Sequence, residues 1–203
     1  MAFREKAKGK KLHQPEGKNS TKPAALLPPI NFSVVVDKFV YRSGHLEPCN
    51  FPFLQSLELR SIIYLCPERY AKENLQFLQS NKINLFQLGI DCDNVSEFLQ
   101  CRGYQIVFVI CDEKNYPVLI HCKCGLHRTG CLVGCLRKLH NWCTTPVLEE
   151  YKKIAGNRFR EVDLKFLREY DVSCLRRCST AAAVPGSRCP CCPGLLDGDS
   201  TVL

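Results

Sequence analysis

One short segment constrains the fold of this chain more than any other. Residues 117–121 (PVLIH) form an apolar run that predicts a buried strand, and the run ends abruptly in a loop that contains glycine. After the loop, apolar residues recur at the spacing of an amphipathic helix, at Leu132, Cys135, Leu136 and Leu139. A buried strand that passes through a tight loop directly into a helix is typical of α/β folds.

The rest of the chain alternates between predicted strands and helices. Before the loop we predict a hairpin from residues 34–36 and 39–41, strands at 62–65 and 83–90, and helices at 52–59, 71–80 and 104–111. Periodicity alone leaves a strand open as the alternative for 104–111. After the loop, one helix starts at Thr145 and Pro146, with the threonine as its cap, and ends at Gly156, while another is capped by Asp163. This order predicts an α/β fold with a mainly parallel central sheet flanked by helices.

Composition divides the chain into one domain and two tails. Residues 1–29 are polar and lysine-rich, residues 30–175 carry the periodic segments, and residues 176–203 turn to Ala, Pro, Gly and Ser. The first 30 residues hold seven Lys or Arg against two Glu, which gives +5 of the net charge of +8. We therefore predict one folded domain at 30–175 between disordered tails, with nuclear import or polyanion contact as the alternative use of the basic tail.

The chain is expected to act inside the cell. No apolar run approaches the roughly 18 residues of a membrane span, and the first residues hold no core of a secretion signal. Several of the 15 cysteines lie in apolar segments, where reduced thiols behave as small hydrophobes. We expect a cytoplasmic protein, with the nucleus as a further location, that binds neither nucleic acid nor stable membrane. The sequence does not set its oligomeric state.

The loop itself carries the chemistry. Residues 121–130 read HCKCGLHRTG, and a loop between a strand and a helix directs backbone N–H groups into one cavity at the positive end of the helix. Cys122 lies within that field, so its thiolate, the nucleophilic form, is favoured. Arg128 follows six positions later, and its planar fork can hold two oxygens of a phosphoryl group. This pattern predicts cysteine-dependent phosphate chemistry, and His121 is expected to brace the loop.

At this point the sequence resembles the plant and fungal atypical dual-specificity phosphatases, a family of the cysteine-based protein tyrosine phosphatase superfamily. The resemblance covers residues from about 28 to 174 and is carried by residues 39–44 (FVYRSG), 61–68 (SIIYLCPE), 75–78, 86–90, 112–115, 117–123 and 127–139. It implies the phosphatase fold, with Cys122 forming a phosphocysteine intermediate and Arg128 binding phosphate. It also implies cleavage of the β-phosphate of inositol pyrophosphates, and some family members dephosphorylate phosphotyrosine or phosphoinositides.

The remaining site residues are predicted from the loop and the resemblance together. Substrate binding is expected at Lys123, Cys124, Gly125, Leu126, His127, Thr129, Arg158 and Arg160. Thr129 could also donate a hydrogen bond to the thiolate. A general acid must protonate the leaving oxygen, and Asp91 or Asp93, just after a predicted strand, is the candidate. A helix cap or a solvated loop acid is the alternative for each. No metal or cofactor is expected.

The departures from the family pattern fall in the pocket. Cys124 and Leu126 stand where the family usually carries Arg and Lys, so two cationic groups are missing, and the segment 91–100 is about two residues short and lacks a family lysine. Cys124 could instead capture an oxidised Cys122 as a disulfide.

The leading hypothesis is therefore an inositol pyrophosphate phosphatase, and the nearest alternative is a protein tyrosine or dual-specificity phosphatase that uses the same residues. A catalytically weak phosphate-binding protein and a rhodanese-like sulfur transferase are the alternatives from other classes.

Overall fold

The computed structural model describes residues 26–90, 106, 109–110, 112–173 and 175–176. Within these residues one five-stranded sheet has the order β1-β2-β5-β3-β4. The strands are β1 (Ser33–Val36), β2 (Val40–Ser43), β3 (Ser61–Tyr64), β4 (Asn84–Gln87) and β5 (Val118–His121). The pair β1 and β2 is antiparallel and the other three neighbouring pairs are parallel. The predicted α/β fold with a mainly parallel sheet and an N-terminal hairpin is confirmed.

The central position of β3 and β5 follows from their sequences. Every residue of both strands is buried, and Ile62, Ile63, Leu119 and Ile120 are completely so. A strand covered on both faces has no polar side and therefore reads as a continuous apolar run. In the edge strand β4, by contrast, Leu85 alone is buried, and Asn84 and Gln87 are exposed.

The strand predicted at 83–90 is shorter in the structure, where β4 ends at Gln87. Leu88 and Ile90 still donate backbone hydrogen bonds to the carbonyls of Tyr64 and Leu65. Between them Gly89 has a φ of 57°, in the left-handed region that glycine adopts easily, so the regular ladder cannot continue.

Five described helices surround the sheet: α1 (Phe51–Ser56), α2 (Lys72–Ser80), α3 (His127–Leu139), α4 (Thr144–Ala155) and α5 (Glu161–Glu169). Short 3₁₀ turns lie at Pro48–Asn50, Glu113–Asn115 and Gly156–Arg158. These bounds confirm the helices predicted at 52–59 and 71–80 and the helices after the loop. Of the helix predicted at 104–111, the described residues Ile106, Val109 and Ile110 are helical.

Both predicted helix caps are wrong. The N-cap of α4 is Cys143, and Thr145 lies within the first turn. The N-cap of α5 is Arg160, and Asp163 is a buried residue of the first turn. The carboxylate of Asp163 accepts hydrogen bonds from the Tyr151 hydroxyl at 2.5 Å and from Arg160 at 2.7 and 2.8 Å. Asp163 therefore bonds Tyr151 of α4 and the side chain of the N-cap residue Arg160 instead of capping the helix end.

Close packing of α3 against α4 and α5 fixes the helix that begins at the loop. A Cβ atom at Gly134 would lie 2.4 Å from a methyl carbon of Leu167 and 3.2 Å from one of Val147, so glycine lets the helices approach without displacing these side chains. Arg137 and Glu150 add an ion pair at 2.8 Å between α3 and α4.

The predicted tails, residues 1–29 and 176–203, lie largely outside the described residues. Among the helices that the structure describes, none is long and apolar enough to cross a membrane.

Candidate active site

The predicted loop lies where the carboxyl end of β5 meets the start of α3. Cys122 directly follows β5, and α3 begins at His127. β5 lies between β2 and β3, with both pairs parallel, so the loop is flanked by the chain segments that leave those two strands. The carboxyl edge of a parallel sheet is the usual place for a ligand site in α/β folds.

Cys122 is buried and held inside the turn of the loop. Its sulfur accepts a hydrogen bond from the N–H of Gly125 at 3.2 Å, and 3% of the residue is exposed. Gly125 has a φ of 71°, and a Cβ atom there would lie 2.5 Å from the backbone carbon and oxygen of Ser43. Glycine is therefore required by both conformation and space, and it lets the loop rest directly on the end of β2.

Arg128 lies in the first turn of α3 and is also buried, with 6% exposure. One of its terminal nitrogens donates to the carbonyl of Ile90 at 3.1 Å. The thiol of Cys66, just after β3, is influenced by both Arg128 and Cys122. Burial raises the pKa of Cys66, and the positive charge of Arg128 partly offsets this rise. Cys122, Arg128 and Cys66 therefore share one electrostatic environment.

His121 is a buried neutral side chain. Its Nε2 is 3.0 Å from the Tyr70 hydroxyl, and its ring packs against those of Tyr64 and Tyr70. Burial lowers the pKa of His121 to about 3, and the nearby His45 adds to the effect. A side chain that stays neutral at pH 7 suits the bracing role predicted for it better than proton transfer.

The side chains predicted to bind substrate occupy different environments. Lys123 is exposed, Cys124 is partly exposed, and Leu126 is buried with 1% exposure. Thr129 is completely buried, and its hydroxyl has no hydrogen-bond partner among the described residues. The buried Leu126 side chain therefore does not contribute to an exposed wall of the pocket.

The two arginines after α4 differ in their partners. Arg158 is exposed, and its carbonyl lies 2.7 Å from the Nε2 of His127, which ties the start of α3 to this turn. Arg160 forms an ion pair with Asp163, whose hydrogen bond raises the pKa of Arg160. Arg160 is thus held by a carboxylate of its own helix.

Asp91 and Asp93, the candidates for the general acid, lie outside the described residues. Ile90, directly before them, is buried and contacts Arg128. Within the described part of the chain, no cluster of three or more His, Cys, Asp or Glu side chains could hold a metal ion.

Sequence reasoning assigned no role to two further residues that contact the loop. Asn31 and Arg42 donate side-chain hydrogen bonds to the carbonyls of Cys124 and Gly125. The sequence signal for Arg42 is a charged residue inside a strand whose four residues are all buried. Asn31 gives no comparable signal in the sequence.

The arrangement can bind an oxyanion and attack it. The thiol lies at the base of the loop, an arginine lies at its end, and amide N–H groups lie between them. These groups can carry out nucleophilic phosphoryl transfer without a metal.

Comparison with known proteins agrees with the phosphoryl-transfer chemistry inferred from this site. The model of the tyrosine phosphatase family matches residues 26–186. Inositol diphosphatase DSP3 of Arabidopsis thaliana is 52% identical over 155 residues, covering 75% of this chain and 76% of that protein. Inositol diphosphatase SIW14 of Saccharomyces cerevisiae is 41% identical over 158 residues, covering 75% of this chain and 55% of that protein.

Solved structures agree with this relationship. The core catalytic domain of the PP-IP phosphatase SIW14 from S. cerevisiae superimposes with a TM-score of 0.72 at 40% identity, covering 78% of this chain and 96% of that one. TpbA of P. aeruginosa shares the fold, with a TM-score of 0.59 at 23% identity over 72% of this chain and 89% of that one. The chain belongs to the tyrosine phosphatase family, within its branch of plant and fungal atypical dual-specificity phosphatases.

Proposed function

We propose that this phosphatase hydrolyses the β-phosphate of inositol pyrophosphates through a phosphocysteine intermediate. The observation that carries the proposal is the buried Cys122 sulfur, held by the Gly125 N–H at 3.2 Å at the base of a loop that Arg128 closes. The substrate class is supported by the 52% identity to an inositol diphosphatase over three quarters of the chain.

The residues suggest a two-step mechanism. The Cys122 thiolate attacks the terminal phosphorus, the bond to the bridging oxygen breaks, and the phosphoryl group moves to sulfur while the loop N–H groups and Arg128 hold its oxygens. Asp91 or Asp93 protonates the departing phosphate to the extent that it needs a proton. Water then attacks the phosphocysteine, which releases inorganic phosphate and restores the thiolate. The Thr129 hydroxyl lies next to Arg128 in sequence and is proposed to stabilise that thiolate.

A phosphotyrosyl protein is the second candidate substrate, and the pocket gives a specific reason to keep it. An inositol polyphosphate carries many negative charges, yet Leu126 supplies no charge and Arg160 is already paired with Asp163. The cations left among the residues predicted to bind substrate are Lys123 and Arg158, both exposed. A single phosphoryl group needs only the loop and Arg128.

The test compares an inositol pyrophosphate with a phosphotyrosyl peptide at equal ionic strength, for the wild type and for Cys122→Ser. We expect faster turnover of the pyrophosphate, loss of both activities in Cys122→Ser, and vanadate or phosphate binding that survives in this variant because the loop amides and Arg128 remain. Cys49→Ser, a change at an exposed thiol, is the matched control and should keep full activity. Faster turnover of the peptide would establish the second candidate instead.

The proposal also predicts independence from metals. Activity should survive exhaustive treatment with EDTA, since thiolate, arginine and amides supply the electrostatic stabilisation. A stoichiometric requirement for zinc or magnesium would contradict the mechanism.

A further inference from the structure

Carbonyl groups of the loop are held by side chains that come from far away in the sequence. Asn31 donates from Nδ2 to the Cys124 carbonyl at 2.8 Å, across 93 residues. Arg42 donates from a terminal nitrogen to the Gly125 carbonyl at 2.7 Å, across 83 residues. Both donors belong to the β1–β2 hairpin or the turn before it, so one part of the fold fixes two successive peptide groups of the loop.

Fixing a carbonyl also orients the next N–H. In a planar trans peptide, the C=O of one residue and the N–H of the following residue point in opposite directions. Because Asn31 draws the Cys124 carbonyl outward, the Gly125 N–H turns inward, where it donates to the Cys122 sulfur at 3.2 Å. Arg42 draws the Gly125 carbonyl outward in the same way, which turns the following N–H toward the anion site.

A third peptide of the loop is fixed by the backbone of the same region. The N–H of His45 donates to the Lys123 carbonyl at 2.9 Å. A Cβ atom at Gly44 would lie 3.0 Å from the backbone carbon and oxygen of Cys124, so the chain after β2 lies directly against the loop. The carbonyls of Lys123, Cys124 and Gly125 therefore point away from the site. The N–H groups of the same three peptide bonds form a concave anion-binding surface.

Arg42 also brings a buried positive charge to the underside of the loop. It is 1% exposed, and neither ion pair between described residues includes it. Burial lowers the pKa of Arg42, while the negative charges of Glu150 and of ionised Cys122 oppose this change. The Arg42 guanidinium bonds the Gly125 carbonyl, and the Gly125 N–H bonds the Cys122 sulfur, so one residue of the loop connects this positive charge to the nucleophile.

Other charged or titratable groups that act on Arg42 come from α3. The positive charge of Arg137 lowers the pKa of Arg42, and the negative charge of an ionised Cys131 raises it. Burial beside Asp163 raises the pKa of Cys131, however, so Cys131 stays neutral near pH 7. Glu150 is already paired with Arg137. Neither of the two ion pairs between described residues includes Cys122 or Arg42.

We propose that Asn31 and Arg42 are positioning residues of the phosphate-binding loop, which turn its N–H groups toward the phosphoryl group, and that Arg42 also stabilises the attacking thiolate from beneath. The inference rests on the proposed function, because it takes Cys122 as the nucleophile. Neither side chain is assigned a contact with substrate.

Substitutions at Arg42 separate orientation from charge. Arg42→Met removes both, so kcat/KM should fall roughly ten- to a hundred-fold, as expected for loss of a buried charge-assisted hydrogen bond. The pH midpoint of alkylation at Cys122 by iodoacetamide, followed by peptide mass spectrometry, should move upward. Arg42→Lys keeps the charge and loses the planar fork, so kcat/KM should fall while the alkylation midpoint stays close to that of the wild type.

Asn31→Gly tests the second residue without straining the backbone. Asn31 has a φ of 54°, which glycine adopts readily, so the change removes the donor alone. Vanadate affinity and kcat/KM should each fall roughly three- to ten-fold. Asn115→Ala is the matched control, because Asn115 makes the same kind of bond, to the Val109 carbonyl at 2.8 Å, just before β5 and thus at the opposite end of that strand from the loop. It should lower the thermal midpoint without changing the alkylation midpoint or vanadate affinity.

The outcomes distinguish this inference from the proposed function. If Cys122→Ser is inactive while Asn31→Gly and Arg42→Lys keep wild-type kcat/KM and vanadate affinity, the positioning role is overturned and the nucleophile stands. If Asn115→Ala weakens vanadate binding as much as Asn31→Gly, the effect is general destabilisation and the inference fails. Should Arg42→Met not fold, Asn31→Gly and Arg42→Lys still decide the question. Turnover retained by Cys122→Ser would refute the proposed function itself.

Discussion

Arg128 donates a hydrogen bond to the carbonyl of Ile90, with 3.1 Å between nitrogen and oxygen. Ile90 is itself fixed, since it is completely buried and its N–H donates to the Leu65 carbonyl at 3.0 Å just beyond the end of β3. One arm of the guanidinium is thus anchored to the edge of the sheet. The rest of the fork is oriented before substrate binds, which lowers the entropy cost of reaching the transition state.

This anchoring predicts the effect of Arg128→Lys. An ammonium group is a point charge on a flexible stem and cannot bond Ile90 and grip two phosphoryl oxygens in one plane. We expect kcat/KM to fall at least about a hundred-fold on either substrate. Arg137→Lys, at the far end of α3, is the control and should stay near the wild-type value. A similar kcat/KM in the two variants would contradict the clamp role of Arg128.

Gly125→Ala should destabilise the protein and abolish phosphate binding. Gly125 and Gly156 both have positive φ, at 71° and 58°, but an added Cβ at Gly125 would overlap the Ser43 backbone whereas Gly156 has nothing within 4 Å. Gly156 has a ψ of −132°, in a region that residues with a side chain rarely adopt, so Gly156→Ala should cost the conformational strain alone, about 1–3 kcal/mol. Gly125→Ala should cost about 3 kcal/mol or more. Urea unfolding and vanadate titration measure both, and equal losses would mean that the contact with Ser43 is easily relieved.

His121 should make the protein less stable in mild acid. Its pKa is lowered to about 3 in the folded protein from an ordinary value of 6.5, so the unfolded chain takes up a proton that the folded one refuses. Above pH 6.5 the free energy of unfolding is not reduced by this group, and it declines as the pH falls from 6.5 toward 3. Between pH 7 and 5 it should shrink by about 2 kcal/mol.

His121→Gln should remove that part of the pH dependence of the free energy of unfolding. His140→Gln, at an exposed position, is the control and should keep the wild-type slope. An unchanged slope in His121→Gln would mean that His121 is protonated in the folded protein as well.

The two loop positions that lack the family's cations should respond differently to restoring them. Cys124 is partly exposed, so Cys124→Arg should raise affinity for an inositol polyphosphate more than for a small aryl phosphate, and added salt should reduce the gain. Leu126 is buried, so Leu126→Lys should mainly lower the thermal midpoint. Equal gains at both positions would place the Leu126 side chain at the pocket mouth.

Features encoded by neighbouring residues were predictable from the sequence. The run at 117–121, the glycine of the loop and the helical spacing after it are local, and they located β5, the loop and α3. The hairpin and both central parallel strands were likewise marked by short apolar runs.

Features that depend on distant residues were not predictable in this way. Asn31 and Arg42 reach the loop across more than 80 residues, and their role depends on the register of β2 against β5. Asp163 was interpreted as a helix cap because its partner Tyr151 lies on another helix. Leu126 was expected to bind substrate because a loop sequence does not tell which side chains turn inward, and its side chain is buried.

The last prediction concerns the leaving group, because it joins the proposed acids to the choice of substrate. Cleaving a phosphoanhydride releases a phosphate whose relevant pKa is about 6, whereas tyrosine leaves as a phenol with a pKa of about 10. The anhydride therefore needs little protonation. If Asp91 and Asp93 supply the proton, changing both to Asn should lower turnover of phosphotyrosine more than turnover of the pyrophosphate.

Steady-state kcat for both substrates, measured in the double variant and in each single one, separates the possibilities. A steep and equal fall for both substrates would mean that the aspartates hold the pocket together, because a role in protonation alone must follow the pKa of the leaving group. Unchanged turnover of phosphotyrosine would exclude both residues as the acid and would direct the search to Glu97, the remaining carboxylate of the segment 91–100. Only an unequal fall, larger for the phenol, agrees with an acid that hydrolysis of the pyrophosphate scarcely needs.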